Sequence, residues 1–291
     1  MVKLIIAVVL SLAAIFPPAV FGQGAADTAR RTAPAGKQSP AAGHLVLAVS
    51  EGTSGGVDSA EALDKYRPLA DVLGAAIGAK IVIVLAREFK RLEENMQRGS
   101  YQLVMARPSD YPARALRDYG YSLVATAKPE GMCTFIVSKD SLLKSIKDVK
   151  GQRIVLPEKV AYMTRFCTAA LRDEGIMVKD EKVQYMREQD AVAYSVESGF
   201  ADVGGVASYA GAARNWEKKG HRVLFRSRPQ PYFPLIASKA LSEAQVAKLR
   251  AAALNLDKTD EGREALKRIG FQGFVETDPQ RLIDLLKWLE Q

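Results

Sequence analysis

Histidine and cysteine are scarce in this chain, with two of each among 291 residues. Cys133 and Cys167 are too few for a disulfide scaffold. With His44 and His221 they form neither a C-x-x-C pair nor the mixed Cys/His spacing of a zinc site, so metalloprotease and zinc-deaminase chemistry are set aside. A nucleophile motif, a P-loop and a dinucleotide fingerprint are missing as well, Gly204-Gly205 alone being too little for the last. The expectation is binding without turnover and without a cofactor. Apolar runs are short, none reaching the roughly 20 residues that cross a bilayer. Residues 4–16, apolar except for Ser11, follow Lys3 and precede Pro17-Pro18, which is the pattern of a secretory signal peptide over 1–22, cleaved after Gly22. No cysteine follows it to carry a lipid.

What is present is enough for a real core: 48% hydrophobic and 25% charged residues exclude a disordered or collagen-like chain. Residues 23–43, rich in Ala, Gly, Pro and Thr without apolar periodicity, read as a flexible linker. The formal charge of +8 shrinks once Lys3, Arg30, Arg31 and Lys37 leave with these segments against Asp27 alone. The remaining positive balance favours anionic ligands, or is a solvated basic surface. Nothing implies nucleic acid.

From residue 45 onward short β-rich runs alternate with helical periods. Strands are expected at 45–50, 81–85, 103–106 and 123–127, with helices between them. The continuous apolar run 81–85 reads as a parallel strand covered on both faces. A second series follows: strands at 134–138, 153–156, 183–186, 203–206 and 223–225, helices at 161–174, 190–198 and 208–218. The Pro-rich stretch 229–234 reads as a crossing connection, and only helices are expected after it, one opened by a Ser242/Gln245 capping box and one by Asp278. An α/β chain that leaves one lobe, builds a second and returns is the plan of a bilobal binding protein, whose ligand sits beyond the carboxyl ends of the strands.

The segments Tyr66-Arg67-Pro68-Leu69-Ala70, Val84-Leu85-Ala86-Arg87-Glu88-Phe89, Gly99-Ser100-Tyr101-Gln102-Leu103-Val104, Ile146-Lys147-Asp148-Val149-Lys150-Gly151 and Ser198-Gly199-Phe200-Ala201-Asp202-Val203-Gly204 succeed one another in a revealing order. In sequence and spacing they resemble the periplasmic phosphonate/phosphate/phosphite-binding proteins. That resemblance implies a two-lobed type II periplasmic binding protein, each lobe a mostly parallel sheet flanked by helices, with lobe 1 at 43–131 plus 235–291 and lobe 2 at 132–234. It also implies a periplasmic monomer that closes on a small oxyanion and delivers it to an ABC transporter permease. The alternative is a sensor that presents its bound state to a histidine kinase.

Against that family the ligand site departs. Where relatives open a helix with a Ser-Thr-Ser-Gly cluster, this chain has Leu156 to Phe166, and only Thr164 and Tyr162 keep hydroxyls. A tyrosine of the family becomes Phe89, a frequent histidine becomes Arg187, and a carboxylate becomes Phe233. Arg107 stands in for the glycine of a Gly-Pro turn, where a guanidinium can grip an oxyanion with two donors, or can pair with Asp110 or Glu130. Ser109 and Tyr111 of the same turn join the candidate set, Tyr111 also as packing, together with Ser50 and Thr53 of the first loop. Cys133 enters lobe 2 beside the strand at 134. It is read as half of a disulfide with Cys167, as a buried apolar thiol, or as a cleft ligand for a soft centre of the arsenite kind.

Overall fold

The computed structural model describes residues 44–52 and 59–291. The signal and linker readings, and Thr53, lie outside these residues. The chain begins with β1 (His44–Ser50), α1 (Ser59–Ile77), β2 (Lys80–Leu85), α2 (Phe89–Gln97), β3 (Leu103–Ala106), α3 (Asp110–Asp118) and β4 (Ser122–Gly131). It then crosses to β5 (Cys133–Val137), β6 (Arg153–Pro157), α4 (Tyr162–Asp173), β7 (Lys182–Met186), α5 (Gln189–Glu197), β8 (Val203–Ala207), α6 (Gly211–Trp216) and β9 (Arg222–Arg226). It returns through β10 (Gln230–Ala237), α7 (Glu243–Leu254), α8 (Asp260–Ile269), β11 (Gly273–Val275) and α9 (Pro279–Glu290).

Two mixed sheets result, ordered β11-β4-β10-β3-β1-β2 and β7-β6-β8-β5-β9. Successive strand–helix units lay down strands of one direction: β1 is parallel to β2 and β3, and β6 to β7 and β8. Each crossing then inserts one reversed strand, β10 between β3 and β4 and β5 between β8 and β9. The first lobe is built on the six-stranded sheet and the second on the five-stranded one.

Burial follows sheet position. Every residue of β3 is buried, as expected of a strand covered on both faces. The equally apolar β2 is different from its expected burial: it pairs only with β1, forms the sheet edge, and leaves Val82 and Val84 exposed. An apolar run reports that a strand is present, whereas its place in the sheet decides how many faces are covered. The Pro-rich stretch also departs from expectation, since it is β10, a buried internal strand that rejoins the six-stranded sheet from Gln230 onward. Prolines cannot donate to a ladder, and the register shifts between Gln230 and Tyr232 and between Tyr232 and Leu235 lie where Pro231 and Pro234 interrupt it. The short β11 was not expected among the terminal helices. The capping box at Ser242 and Gln245 and the Asp278 cap are as expected.

Cys133 on β5 and Cys167 on α4 form a disulfide, with both residues fully buried. Gly205 of β8 makes room for it: a Cβ there would lie 3.0 Å from Cys167 Sγ and 2.6 Å from a Leu156 methyl. Helix packing thus accounts for the Gly204-Gly205 pair. The terminal helix α9 packs on α3 and β10 and reaches across to α4. There Trp288 meets Phe166 edge-on at 4.9 Å, donates from Nε1 to Asp173 at 2.9 Å, and accepts at its carbonyl from Arg172.

Candidate functional site

β1 and β3 lie side by side and end together, Ser50 being in register with Ala106. The next residue, Arg107, donates its backbone N–H to the Ser50 carbonyl at 2.9 Å. Its side chain therefore starts at the carboxyl edge of the sheet. Beyond that edge lies a cavity of about 540 Å³, lined from the six-stranded lobe by Glu51, Tyr66, Arg107, Lys128, Tyr232 and Phe233 and from the five-stranded lobe by Ser208, Tyr209 and Arg214. Its floor comes from the α8–β11 connection, including Phe271.

Arg107 is the centre of this arrangement. Its guanidinium carbon sits 5.7 Å from the Tyr209 ring centroid and 5.8 Å from that of Phe233, and Nη1 reaches the Tyr232 hydroxyl at 3.5 Å. Its Nε is buried with no hydrogen-bond partner, as is the Ser50 hydroxyl. Neither carboxylate named as its alternative partner pairs with it: Asp110 holds Arg114 and Arg165, and Glu130 holds Arg281. Among the described residues, Lys128 and Arg214 also have no carboxylate within ion-pair distance. Glu51, the acidic residue in the lining, is engaged by Lys65 and by the Tyr66 hydroxyl. Burial pushes the Glu51 carboxyl up, but those hydrogen bonds and the charges of Lys65 and Arg107 outweigh it and hold the group below its ordinary range. Burial raises the hydroxyls of Tyr66, Tyr209 and Tyr232 above the ordinary tyrosine value. At neutral pH the cavity therefore presents neutral phenols, a neutralised carboxylate and a surplus of cations.

Phe233 has φ 46°, the only positive value at a non-glycine among the described residues. For a bulky side chain that conformation costs on the order of 1 to 3 kcal/mol, and such costs collect where a site demands the geometry. It places an aromatic wall where a carboxylate was expected in relatives.

The other sequence candidates fall elsewhere. Phe89 and Tyr111 stack on each other at 4.9 Å, and Arg114 covers the Tyr111 ring. Ser109 is buried and donates to the Pro231 carbonyl at 3.0 Å. Tyr162 meets Phe166 edge-on at 5.9 Å, and burial raises its hydroxyl well above the ordinary value. Thr164 turns its hydroxyl back onto the Pro157 carbonyl at 2.8 Å, which removes it from the ligand set. Arg187 is 85% exposed beside Glu188 and is not a cleft residue. Cys133 is bridged, so the readings as a free buried thiol and as a soft ligand both fall.

Sequence reasoning missed Tyr66, Lys128, Tyr209, Arg214 and Tyr232. A helix was expected from residue 208, but α6 starts at Gly211, which leaves Ser208 and Tyr209 in the turn after β8. Their position just past a strand's carboxyl end was the available signal. Tyr232, between two prolines, offered none.

Comparison with known proteins agrees with this architecture. The family described as "ABC transporter, phosphonate, periplasmic substrate-binding protein" matches residues 56–282. Among solved structures, the fold is similar to XAC2383 from Xanthomonas citri bound to ATP (TM-score 0.64, 18% identity, covering 85% of this chain and 97% of that one). It is also similar to PhnD1 from Prochlorococcus marinus in complex with methylphosphonate (TM-score 0.62, 14% identity, 84% and 97%). A third is a binding protein component of an ABC phosphonate transporter from Pseudomonas aeruginosa (TM-score 0.56, 15% identity, 84% and 85%).

Proposed function

The chain belongs to the periplasmic substrate-binding proteins of phosphonate ABC transporters, and from that premise we propose that the cavity beside Arg107 captures a phosphorus oxyanion for delivery to a permease from the periplasm. One observation carries the reading: a half-buried guanidinium whose Nε has no partner and whose neighbouring carboxylates are all engaged elsewhere. The cavity's own carboxylate, Glu51, is held by Lys65, and an oxyanion ligand supplies the close charge and the acceptors that the Arg107 guanidinium lacks. The two similar structures bound to ATP and to methylphosphonate hold phosphorus oxyanions with very different organic parts, which supports the head group as the shared element.

Closure follows from where the donors sit. Arg107 and Lys128 come from the six-stranded lobe, Tyr209 and Arg214 from the five-stranded one. An anion held between them favours the state in which the lobes meet, which is the two-state hinge such proteins use. The chain passes between lobes at Met132 and again over 227–229, so two strand ends serve as the pivot. Binding without turnover is the function this chemistry serves. Calorimetry with methylphosphonate and inorganic phosphate tests it: Arg107→Ala should weaken binding at least about tenfold, the scale of one charge-assisted contact, at an unchanged melting temperature. Parent-like binding by that variant overturns the assignment.

A further inference from the structure

The cavity is larger than a bare oxyanion needs, and aromatic rings form part of its lining beside the cations. A volume of about 540 Å³ lies within the range of pockets that enclose molecules of drug size, and methylphosphonate, with a handful of heavy atoms, would leave most of it to water. Its walls are rings from both lobes. Tyr209 stacks on Tyr232 at 4.3 Å, and Tyr232 meets Phe233 and Phe271 edge-on at 5.6 Å and 6.1 Å, while Phe233 and Phe271 meet at 5.2 Å. This four-ring cluster lines the same cavity as Arg107, Lys128 and Arg214.

We infer that the ligand is an organic phosphate or phosphonate that carries a flat unsaturated ring next to its anionic head. This rests on the phosphorus-oxyanion reading above and adds the chemistry of the organic part. Two features favour a flat ring over an alkyl chain. Aromatic walls attract another ring through offset and edge-to-face contacts that a saturated group of equal area does not make. The strained backbone of Phe233 also holds its buried ring against Tyr232 and Phe271, which fixes the aromatic cluster beside the cavity. Arg107 and Tyr209 belong to different lobes and face each other, so a ligand that fills both the charged and the aromatic part is engaged by both halves at once.

The test is calorimetric titration of the mature protein with three probes of one head group: methylphosphonate, cyclohexylphosphonate and phenylphosphonate. The expected result is phenylphosphonate binding at least tenfold more tightly than methylphosphonate and clearly more tightly than cyclohexylphosphonate. In Tyr209→Leu the phenyl-to-cyclohexyl ratio should fall toward one, and in Tyr209→Phe it should persist. Equal affinity for the phenyl and cyclohexyl probes, or a preference for methylphosphonate, overturns the ring and leaves the oxyanion reading standing. Failure of all three probes to bind overturns both. The parent protein alone decides between these outcomes, so an unstable Tyr209 variant does not remove the test.

Discussion

The seam between the lobes has two unlike sides, and both are supplied by one turn. On one side Asp110, 1% exposed at its side chain, accepts from Arg165 of the opposite lobe at 2.7 Å and from Arg114 at 3.3 Å. On the other side, three residues earlier in the chain, Arg107 faces a cavity whose lining carboxylate, Glu51, is already held by Lys65 and the Tyr66 hydroxyl. Where a carboxylate of one lobe binds a cation of the other the lobes meet directly, and where the carboxylate is taken up within its own lobe there is room for a ligand. Helix α4 makes this lobe contact through Arg165.

Cutting the support beneath the shut side should have the largest effect. The Cys133–Cys167 bridge spans 34 residues and ties α4 to the middle of the five-stranded sheet. Loop closure of that size is worth about 3 to 4 kcal/mol, so Cys133→Ser should lower the unfolding free energy by that amount and the denaturant midpoint by that amount divided by the m-value. A parent-like midpoint would show that α4 is held by packing alone. Next comes the ion pair itself. Asp110→Asn removes the carboxylate shared by Arg165 and Arg114, Arg114 keeping Glu93, and should cost about 2 kcal/mol, read by the same unfolding curve. A loss close to zero would mean that the two sides differ less than their geometry indicates. The smallest effect belongs to the open side. The Glu51 carboxyl lies below its ordinary 4.5 when folded, so its stabilisation is complete above that value and is lost as pH falls through the lower folded one. Glu51→Gln should therefore flatten the acid limb of the melting-temperature profile below the carboxyl's ordinary 4.5 and leave the pH dependence near neutrality unchanged.

Local rules were legible where they have a single outcome. Ser242 with Gln245, and Asp278 before Pro279, cap helices as their spacing requires, and β3 is buried as an apolar strand between neighbours must be. Arg107 was legible as a site residue because it is a large cation in a turn that follows a strand. The rest of the cavity was not, because its side chains arrive from separate stretches around residues 51, 66, 107, 128, 209, 232 and 271. No periodicity or spacing connects these positions, which only the two crossings and the inserted strand β10 bring together. The misplacements have equally local causes. Thr164 has a backbone carbonyl within reach of its hydroxyl, and Arg187 follows a strand at the outer edge of its sheet.

The two tryptophans divide the lobes optically. Trp216 is enclosed within the five-stranded lobe, its Nε1 shared between the carbonyls of Val137 and Arg222 at 3.0 Å each. Trp288 lies on the seam itself, with Phe166 against its edge and the Arg228 guanidinium 4.6 Å above its ring. Any rotation of one lobe against the other changes the quenching charge and the polarity around Trp288 while leaving Trp216 in a constant environment. The protein thus contains a built-in emission reporter of its own closure, and a Trp216→Phe background reduces the signal to that one chromophore.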